Sequence, residues 1–158
     1  MEIKSSIKWG GVDYPVKYKD LDTFKGITDF NQIYGVCFVD NKIVICFNKS
    51  LGFCGLPGGT PEDNETIEQT LRREIMEEAG LKLINYKPIG AQEVFGDDKT
   101  RKQLRAVCVC EKVAKHNDPC EDISEVKLID IKNIDKYIDW GEIGRHIFKR
   151  SEILRDSL

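Results

Sequence analysis

The segment from Gly52 to Gly80 limits the possible folds of this chain more than any other part of its sequence. It begins with a stretch dense in glycine and proline, Gly52 to Asn64, which predicts a loop. From Glu65 to Ala79 the composition changes to Glu, Leu, Arg, Met and Ala, the residues that favour helices. Gly80 suits the left-handed position just beyond a last helical turn. We therefore expect one sharply bounded helix that is entered through a long loop.

Segments rich in branched and aromatic residues lie on both sides of this helix and predict strands. The first two are joined at Gly10-Gly11 as a hairpin, and an amphipathic helix begins near Gly141. The predicted strands are Ile3–Trp9, Val12–Tyr18, Ile33–Val39, Lys42–Phe47, Leu83–Phe95, Leu104–Val113 and Val126–Ile131. This order predicts an α/β fold in which helices pack on the faces of a mixed sheet.

The length and charge of the chain limit its organisation and its partners. Its 158 residues are the size of one ordinary domain, so we expect a single domain over 1–158, with residues 1–30 as an N-terminal hairpin addition. The net charge of -3 argues against binding to nucleic-acid polymers, which requires a basic surface. A small anionic ligand would need a local source of positive charge, and metal ions supply it in concentrated form.

The amino terminus and the cysteines indicate a cytoplasmic protein that does not act at a membrane. Residues 1–10 lack the apolar stretch of a secretory signal, and no window reaches the roughly 18 apolar residues of a spanning helix. Four of the six cysteines lie inside apolar strand-like segments: Cys37, Cys46, Cys108 and Cys110. Free cysteine there behaves as a small hydrophobic residue. Because no Cys-x-x-Cys pair is present, we expect buried reduced thiols rather than structural zinc.

Three glutamates of the predicted helix share one face. At about 100° per residue, Glu74, Glu77 and Glu78 project within a sector about 100° wide. Like charges three or four residues apart repel one another, and a bound cation would relieve that repulsion. Mg²⁺ and Mn²⁺ suit such a face because these hard ions prefer carboxylate and carbonyl oxygens. The helix therefore predicts a divalent-metal site.

The remaining helix positions predict how this face is held in place. Leu71, Ile75 and Ala79 form a line beside the glutamates and should pack against the sheet. Arg73 lies four residues before Glu77 and is able to pair with it. The acidic face would then open at the edge of the core.

The loop and helix together resemble the Nudix box, the signature of the Nudix hydrolase (MutT-like) family. Nine defined positions over 23 residues are all filled: Gly59-x(5)-Glu65-x(7)-Arg73-Glu74-Ile75-x-Glu77-Glu78-x-Gly80-Leu81. The box loop and helix span residues 56–81, and the resemblance extends from about Gln32 to the final helix. Outside the defined positions, Asn64 stands where many relatives have glycine, and Asn tolerates the left-handed conformation well.

This resemblance implies a Nudix-type α/β/α sandwich with a mixed sheet, and hydrolysis of a nucleoside diphosphate linked to another moiety. Carried over by position, it implies these ligands of Mg²⁺ or Mn²⁺: the Gly58 carbonyl, Glu74, Glu77 and Glu78. Gly58 and Gly59 would also let backbone groups approach the substrate without a side chain in the way. Arg73 would orient a glutamate, and Glu65 would brace the loop against the start of the helix.

A glutamate is expected to accept the proton of the attacking water. Phosphoanhydrides are inert partly because their negative oxygens repel nucleophiles, and bound cations neutralise those oxygens. We favour Glu78 or Glu74 as the base. Relatives differ here and some use a later loop, in which Glu121 is the best-placed candidate, with Glu93 and Glu125 behind it. Taken alone, Glu121 is equally well explained as a surface carboxylate.

Several other residues are better explained by packing than by chemistry. His116 and His146 stand in no metal-binding pattern. Four aromatic residues near the amino terminus are able to stack on a nucleobase, although aromatic residues in strands more often belong to the core: Trp9, Tyr14, Tyr18 and Phe24.

We therefore expect a Nudix diphosphohydrolase, monomeric or homodimeric, that acts on a small nucleotide-like substrate. Two other classes stay open: a catalytically silent ligand-binding module on the same fold, and an isomerase whose product keeps its diphosphate. Two residues that mark sub-classes of the family are missing here: a proline about fifteen residues after the box, as in ADP-ribose hydrolases, and a tyrosine slightly further on, as in dinucleoside-polyphosphate hydrolases. The sequence near that point reads EVFGDDKT. Nucleoside triphosphates, including oxidised ones, are the default substrate.

Overall fold

The computed structural model describes residues 1–115, 117, 119 and 121–158. Within these residues, nine strands form one sheet: β1 (Glu2–Trp9), β2 (Val12–Asp20), β3 (Gln32–Val39), β4 (Lys42–Asn48), β5 (Phe53–Gly55), β6 (Gly58–Gly59), β7 (Leu81–Phe95), β8 (Thr100–Lys112) and β9 (Ile123–Ile129). The helices are α1 (Ile67–Ala79), a 3₁₀ helix (Ile131–Lys136) and α2 (Gly141–Arg155). His116, which was expected to pack or lie at the surface, is outside the described residues.

The sheet is mixed, as predicted. Its strands follow the order β1-β2-β7-β8-β3-β4-β5, while β6 pairs with β3 and β9 pairs with β4. The β3–β8 pair is parallel, with Ile33 opposite Leu104 and Val36 opposite Val107. The other pairs are antiparallel.

The two faces of the sheet carry separate cores because successive side chains of a strand point to opposite faces. In β3, Ile33 and Cys37 belong to the core beneath α1, whereas Val36 and Phe38 belong to the core beneath α2. The helices add Leu71, Ile75 and Ala79 to the first core and Ile143, Ile147 and Phe148 to the second. The expected α/β/α sandwich is confirmed.

The N-terminal hairpin continues the main sheet. Residues Val16 to Asp20 of β2 pair with β7, and Tyr18 is fully buried in the core beneath α2. Phe24 is buried beneath α1, so these two aromatic residues pack rather than face solvent. Trp9 is 53% exposed and meets Phe53 of β5 edge to face at 5.6 Å between ring centroids. Because β1 and β5 are the first and last strands in the order given above, this contact shows that the sheet curls.

The segment from Gly52 to Asn64 was predicted as loop throughout, and this is wrong because it contains two short strands, β5 and β6. The glycines do not prevent pairing because each strand lies against an established neighbour, β4 or β3. The helix also begins later than predicted, at Ile67. Thr66 caps it: its hydroxyl accepts a hydrogen bond from the Gln69 amide (3.1 Å), and the Gln69 side chain accepts one from the Thr66 amide (2.9 Å).

The end of the chain differs from its predicted boundaries in one place. β9 runs from Ile123 to Ile129, pairing with β4, instead of from Val126 to Ile131. It stops there because the Asp130 carboxylate accepts a hydrogen bond from the Lys132 amide and caps the 3₁₀ helix. In the part of the chain that is described, no helix has both the length and the apolar character needed to cross a membrane.

The predicted reduced thiols are buried. The four strand cysteines are free and lie in the core beneath α1: Cys37, Cys46, Cys108 and Cys110. Burial raises the pKa of the Cys108 thiol, so this group stays protonated and packs as a small hydrophobic residue.

Candidate functional site

The glycine loop and the glutamate face of α1 are in direct contact. A Cβ atom added to Gly59 would lie 2.5 Å from Oε1 of Glu74. The backbone of Gly58 has a φ of 152° and pairs with Tyr34 of β3, where a Cβ would collide with the carbonyl oxygen of Ile33. Loop and helix converge in this way only because both positions are glycine.

Arg73 joins this loop to the helix. Its Nε and Nη2 donate two parallel hydrogen bonds to the Glu65 carboxylate, at 2.7 and 3.0 Å, and Nη2 also donates to the Thr60 carbonyl at 3.0 Å. Its Nη1 contacts Glu74 at 3.1 Å and Glu77 at 3.3 Å. The predicted Arg73–Glu77 pair is therefore present, but the shorter and two-pronged contact is with Glu65. Such paired contacts fix the orientation of the guanidinium.

Glu65 lies just before the helix and collects hydrogen bonds from both sides of the turn. Its Oε2 accepts one from the Glu62 amide and one from the Thr70 hydroxyl, each at 2.9 Å. The hydrogen bonds from Arg73, with those of Glu62 and Thr70, lower the pKa of Glu65 to about 2. Its carboxylate therefore stays ionised and bridges the loop to the helix start.

Replacing Glu65 with glutamine is expected to destabilise the protein at neutral pH but not in strong acid. Because the pKa of Glu65 is about 2 when folded and ordinarily 4.5, its contribution is complete above pH 4.5 and disappears as the pH falls towards 2. Urea unfolding over this pH range should show that the difference in unfolding free energy between wild type and Glu65→Gln decreases towards zero as the pH falls. Glu62→Gln is the control, because the Glu62 side chain is exposed and its contact with Arg73 is long, at 3.8 Å. A difference in unfolding free energy that does not change with pH would contradict this prediction.

The helix carboxylates share one face of α1, but their oxygens do not converge on a single position. Glu74, Glu77 and Glu78 are half-buried on the exposed edge of α1. Within the described ranges, no three Asp, Glu, His or Cys side chains are arranged as ligands of a single ion. Glu74 and Glu77 are turned towards the same arginine nitrogen instead.

The residues present nevertheless fit a divalent cation. The guanidinium of Arg73 contacts three carboxylates, those of Glu65, Glu74 and Glu77, and Glu78 lies on the same helix. Arg73 makes two hydrogen bonds to Glu65 and one to the loop, so it would stay fixed if Glu74 and Glu77 turned towards a cation. The hard oxygen donors and their surplus negative charge match what Mg²⁺ or Mn²⁺ prefers.

Tyr34 and Arg105 are two residues of this region that were not predicted. Burial raises the pKa of Tyr34, and nearby Glu78 and Glu74 raise it further while Arg105 lowers it. The guanidinium carbon of Arg105 is 5.0 Å from the centroid of the Tyr34 ring. An arginine inside the apolar strand segment LRAVCVC was the available sequence signal, since charged residues are seldom fully buried.

The three later glutamates lie apart from one another in the chain: Glu93 in β7, Glu125 in β9 and Glu121 just before β9. Glu121 is exposed just before β9 and has a left-handed backbone (φ 55°). Glu125 lies in β9 and contacts Lys127 at 3.3 Å, and Glu93 lies in β7 opposite Lys102. His146 packs, with Nε2 2.8 Å from the Asp20 carboxylate.

Comparison with known proteins gives a family match over most of the chain. The family model described as NUDIX domain matches residues 32–150. An ADP-ribose pyrophosphatase from Methanocaldococcus jannaschii is 30% identical over 105 residues, which cover 65% of this chain. The match spans 62% of the length of that relative.

Solved structures share the fold at low sequence identity. A pyrophosphohydrolase from Bacillus subtilis, BsRppH, has a TM-score of 0.72 at 19% identity, covering 91% of this chain and 92% of that one. The NUDIX domain of NrtR from Shewanella oneidensis, solved with ADP ribose, has a TM-score of 0.61 at 15% identity, covering 83% and 93%. The family resemblance found in the sequence is confirmed, and the chain belongs to the NUDIX domain family.

Proposed function

We propose that this protein is a divalent-metal-dependent hydrolase that cleaves a diphosphate linkage in a nucleotide-like substrate. The observation that carries the proposal is the glutamate face of α1 in contact with the Gly58-Gly59 loop, inside a chain of the NUDIX domain family. The relatives named as pyrophosphatase and pyrophosphohydrolase support the reaction type. The substrate is a small molecule rather than a nucleic-acid polymer, as the acidic net charge also favours.

The proposed metal ligands are Glu74, Glu77, Glu78 and the carbonyl of Gly58. Mg²⁺ or Mn²⁺ held there supplies the positive charge that neutralises diphosphate oxygens and makes a water molecule more acidic. Gly58 and Gly59 admit the substrate because no side chain projects from the loop towards Glu74. Arg73 positions Glu74 and Glu77 while Glu65 holds the guanidinium from the other side.

The proposed base is Glu78 or Glu74. Both carboxylates lie on the face of α1 that carries the proposed metal ligands, where they can accept a proton from the attacking water. Glu121 remains the alternative base from the later segment. The cytoplasmic location and the monomeric or homodimeric state stay predictions from the sequence.

A substrate screen with product analysis tests this proposal. The panel contains nucleoside triphosphates, nucleotide sugars, ADP-ribose, NADH and dinucleoside polyphosphates, and the products identify the broken bond. We expect metal-stimulated release of a nucleotide from at least one class. Binding of a nucleotide without cleavage would indicate a silent binding module, and a rearranged product that keeps its diphosphate would indicate an isomerase.

Chelation of divalent ions is expected to abolish the hydrolysis found in this screen. Activity should return on addition of Mg²⁺ or Mn²⁺, because only a hard divalent cation suits the carboxylate and carbonyl donors. Circular dichroism before and after chelation serves as the control for folding. Full turnover by a folded, metal-free protein would rule out the proposed metal dependence.

A further inference from the structure

Arg105 is a buried cation without a counter-ion among the described residues. Its side chain is only 4% exposed. Nη1 donates to the Leu104 carbonyl at 3.2 Å and Nη2 to the Gln103 side-chain oxygen at 2.9 Å, both of which are neutral acceptors. Its Nε is buried and has no hydrogen-bond partner in the described part of the protein. Burial lowers the pKa of Arg105 to about 10, which still leaves it charged at neutral pH.

Two aromatic rings flank the guanidinium of Arg105. The central carbon of the Arg105 guanidinium is 5.0 Å from the ring centroid of Tyr34 and 5.5 Å from that of Trp140. Aromatic faces stabilise a cation partly, but they accept no conventional in-plane hydrogen bond from Nε. Burying a charge without a counter-ion costs desolvation free energy, and such a charge is more typical of a binding site than of a packing position.

The register of the sheet places the backbone of Arg105 two strands away from Gly58 of the candidate metal site. Gly58 of β6 lies opposite Tyr34 of β3, and Tyr34 lies opposite Arg105 of β8. With neighbouring strands about 4.8 Å apart, Arg105 is roughly 10 Å from Gly58 along this row. That is a distance a nucleotide with several phosphate groups can span. Tyr34 stands between the two positions.

We infer that Arg105, between Tyr34 and Trp140, forms an anion-binding position that receives a phosphate group of the substrate. The inference deepens the proposed function and rests on it, because the phosphate belongs to the nucleotide cleaved at Glu74, Glu77 and Glu78. Arg105 acts here as a specificity-determining residue: Nε donates to a phosphate oxygen, and the anion supplies the missing counter-charge. Substrates with a phosphate group that reaches Arg105 are then preferred.

Trp140 packs between Arg105 and Phe148. Its ring is stacked on Phe148, with 5.9 Å between centroids, directly before Gly141 and α2. Because Arg105 is so little exposed, an anion reaches Nε only when a covering ring shifts. The emission of Trp140 therefore reports on occupancy of the position.

The test uses the Trp9→Phe variant, in which Trp140 is the only tryptophan. Its emission is titrated in chelator with a nucleoside triphosphate, inorganic tripolyphosphate and a nucleoside that lacks phosphate. We expect the two phosphate compounds to change the emission and the nucleoside to leave it unchanged. A response to the nucleoside alone, or none to the triphosphate, would overturn the inference.

Arg105→Met in the same background is expected to weaken triphosphate binding by about tenfold or more, since a charged hydrogen bond is lost. Its thermal unfolding midpoint should not fall, because a buried unpaired charge is replaced by an apolar chain of similar length. Arg145→Gln, an exposed change on α2, is the matched control and should bind as the parent does.

An unchanged affinity in Arg105→Met would refute the inference. Should Arg105→Met fail to fold, Arg105→Lys replaces it, because it keeps the charge and loses the Nε donor; unchanged binding in that variant is equally decisive. These titrations contain no metal and no turnover, so they are independent of the hydrolysis assay. Absence of cleavage by the wild type would refute the proposed function without altering the Arg105-dependent binding.

Discussion

Replacing Glu78 with glutamine is expected to lower turnover by about two to four orders of magnitude. Glutamine keeps the size of the side chain but loses a metal-ligand charge and the ability to accept a proton. The free energy of unfolding should stay within about 1 kcal/mol of wild type, because Glu78 is half-buried on an acidic face and losing its charge relieves repulsion. Steady-state kinetics with the substrate found in the screen, combined with urea unfolding, measures both quantities.

Glu68→Gln is the matched control for this variant. Glu68 lies on the same helix, but it is exposed and pairs with Arg72 on a face away from the loop. Its loss should cost well under about 1 kcal/mol of stability, as for other surface ion pairs, and leave turnover unchanged. Equal turnover in Glu78→Gln and wild type would remove Glu78 from the mechanism.

Replacing Gly58 with alanine is expected to destabilise the protein by about 3 kcal/mol or more and to abolish hydrolysis. The backbone at Gly58 has a φ of 152°, which L side chains rarely adopt. The added methyl would also collide with the Ile33 carbonyl and lie 2.6 Å from Cα of Tyr34, so the β6–β3 pairing would separate. Chemical unfolding and the hydrolysis assay measure the two effects.

Gly55→Ala controls for the loss of a glycine in the same segment. A Cβ at Gly55 of β5 meets no atom within 4 Å, and its backbone is not left-handed. We expect a small change in stability and normal activity. If Gly58→Ala were as stable and active as Gly55→Ala, the loop would not be held against β3 as the structure shows.

The order of elements and the metal-ligand candidates were predictable from the sequence because both depend on local patterns. Segments rich in branched and aromatic residues specify strands such as β3, and Gly80 takes the left-handed position that ends α1, with a φ of 65°. The spacing of Glu74, Glu77 and Glu78 places them on one face of any helix. The family followed from the same local pattern.

The strands β5 and β6 were not predictable because they are only three and two residues long and lie in a segment rich in glycine, which forms strands only where a neighbour is already present. Their pairing with β4 and β3 depends on contacts between residues distant in sequence. The same holds for Glu65. Its separation from Arg73 along the sequence is given by the Nudix box, but the two hydrogen bonds between them depend on how the loop folds back.

The sequence by itself determined the family, the two helices, most strands and the set of glutamates on α1. Only the tertiary structure decided that Arg73 is bound to Glu65 while touching Glu74 and Glu77, and that Arg105 is buried between Tyr34 and Trp140. The physical reason is that helix and strand periodicity are set by neighbours along the chain. Burial of a charge and the partners it finds are set by segments that meet only when the sheet assembles.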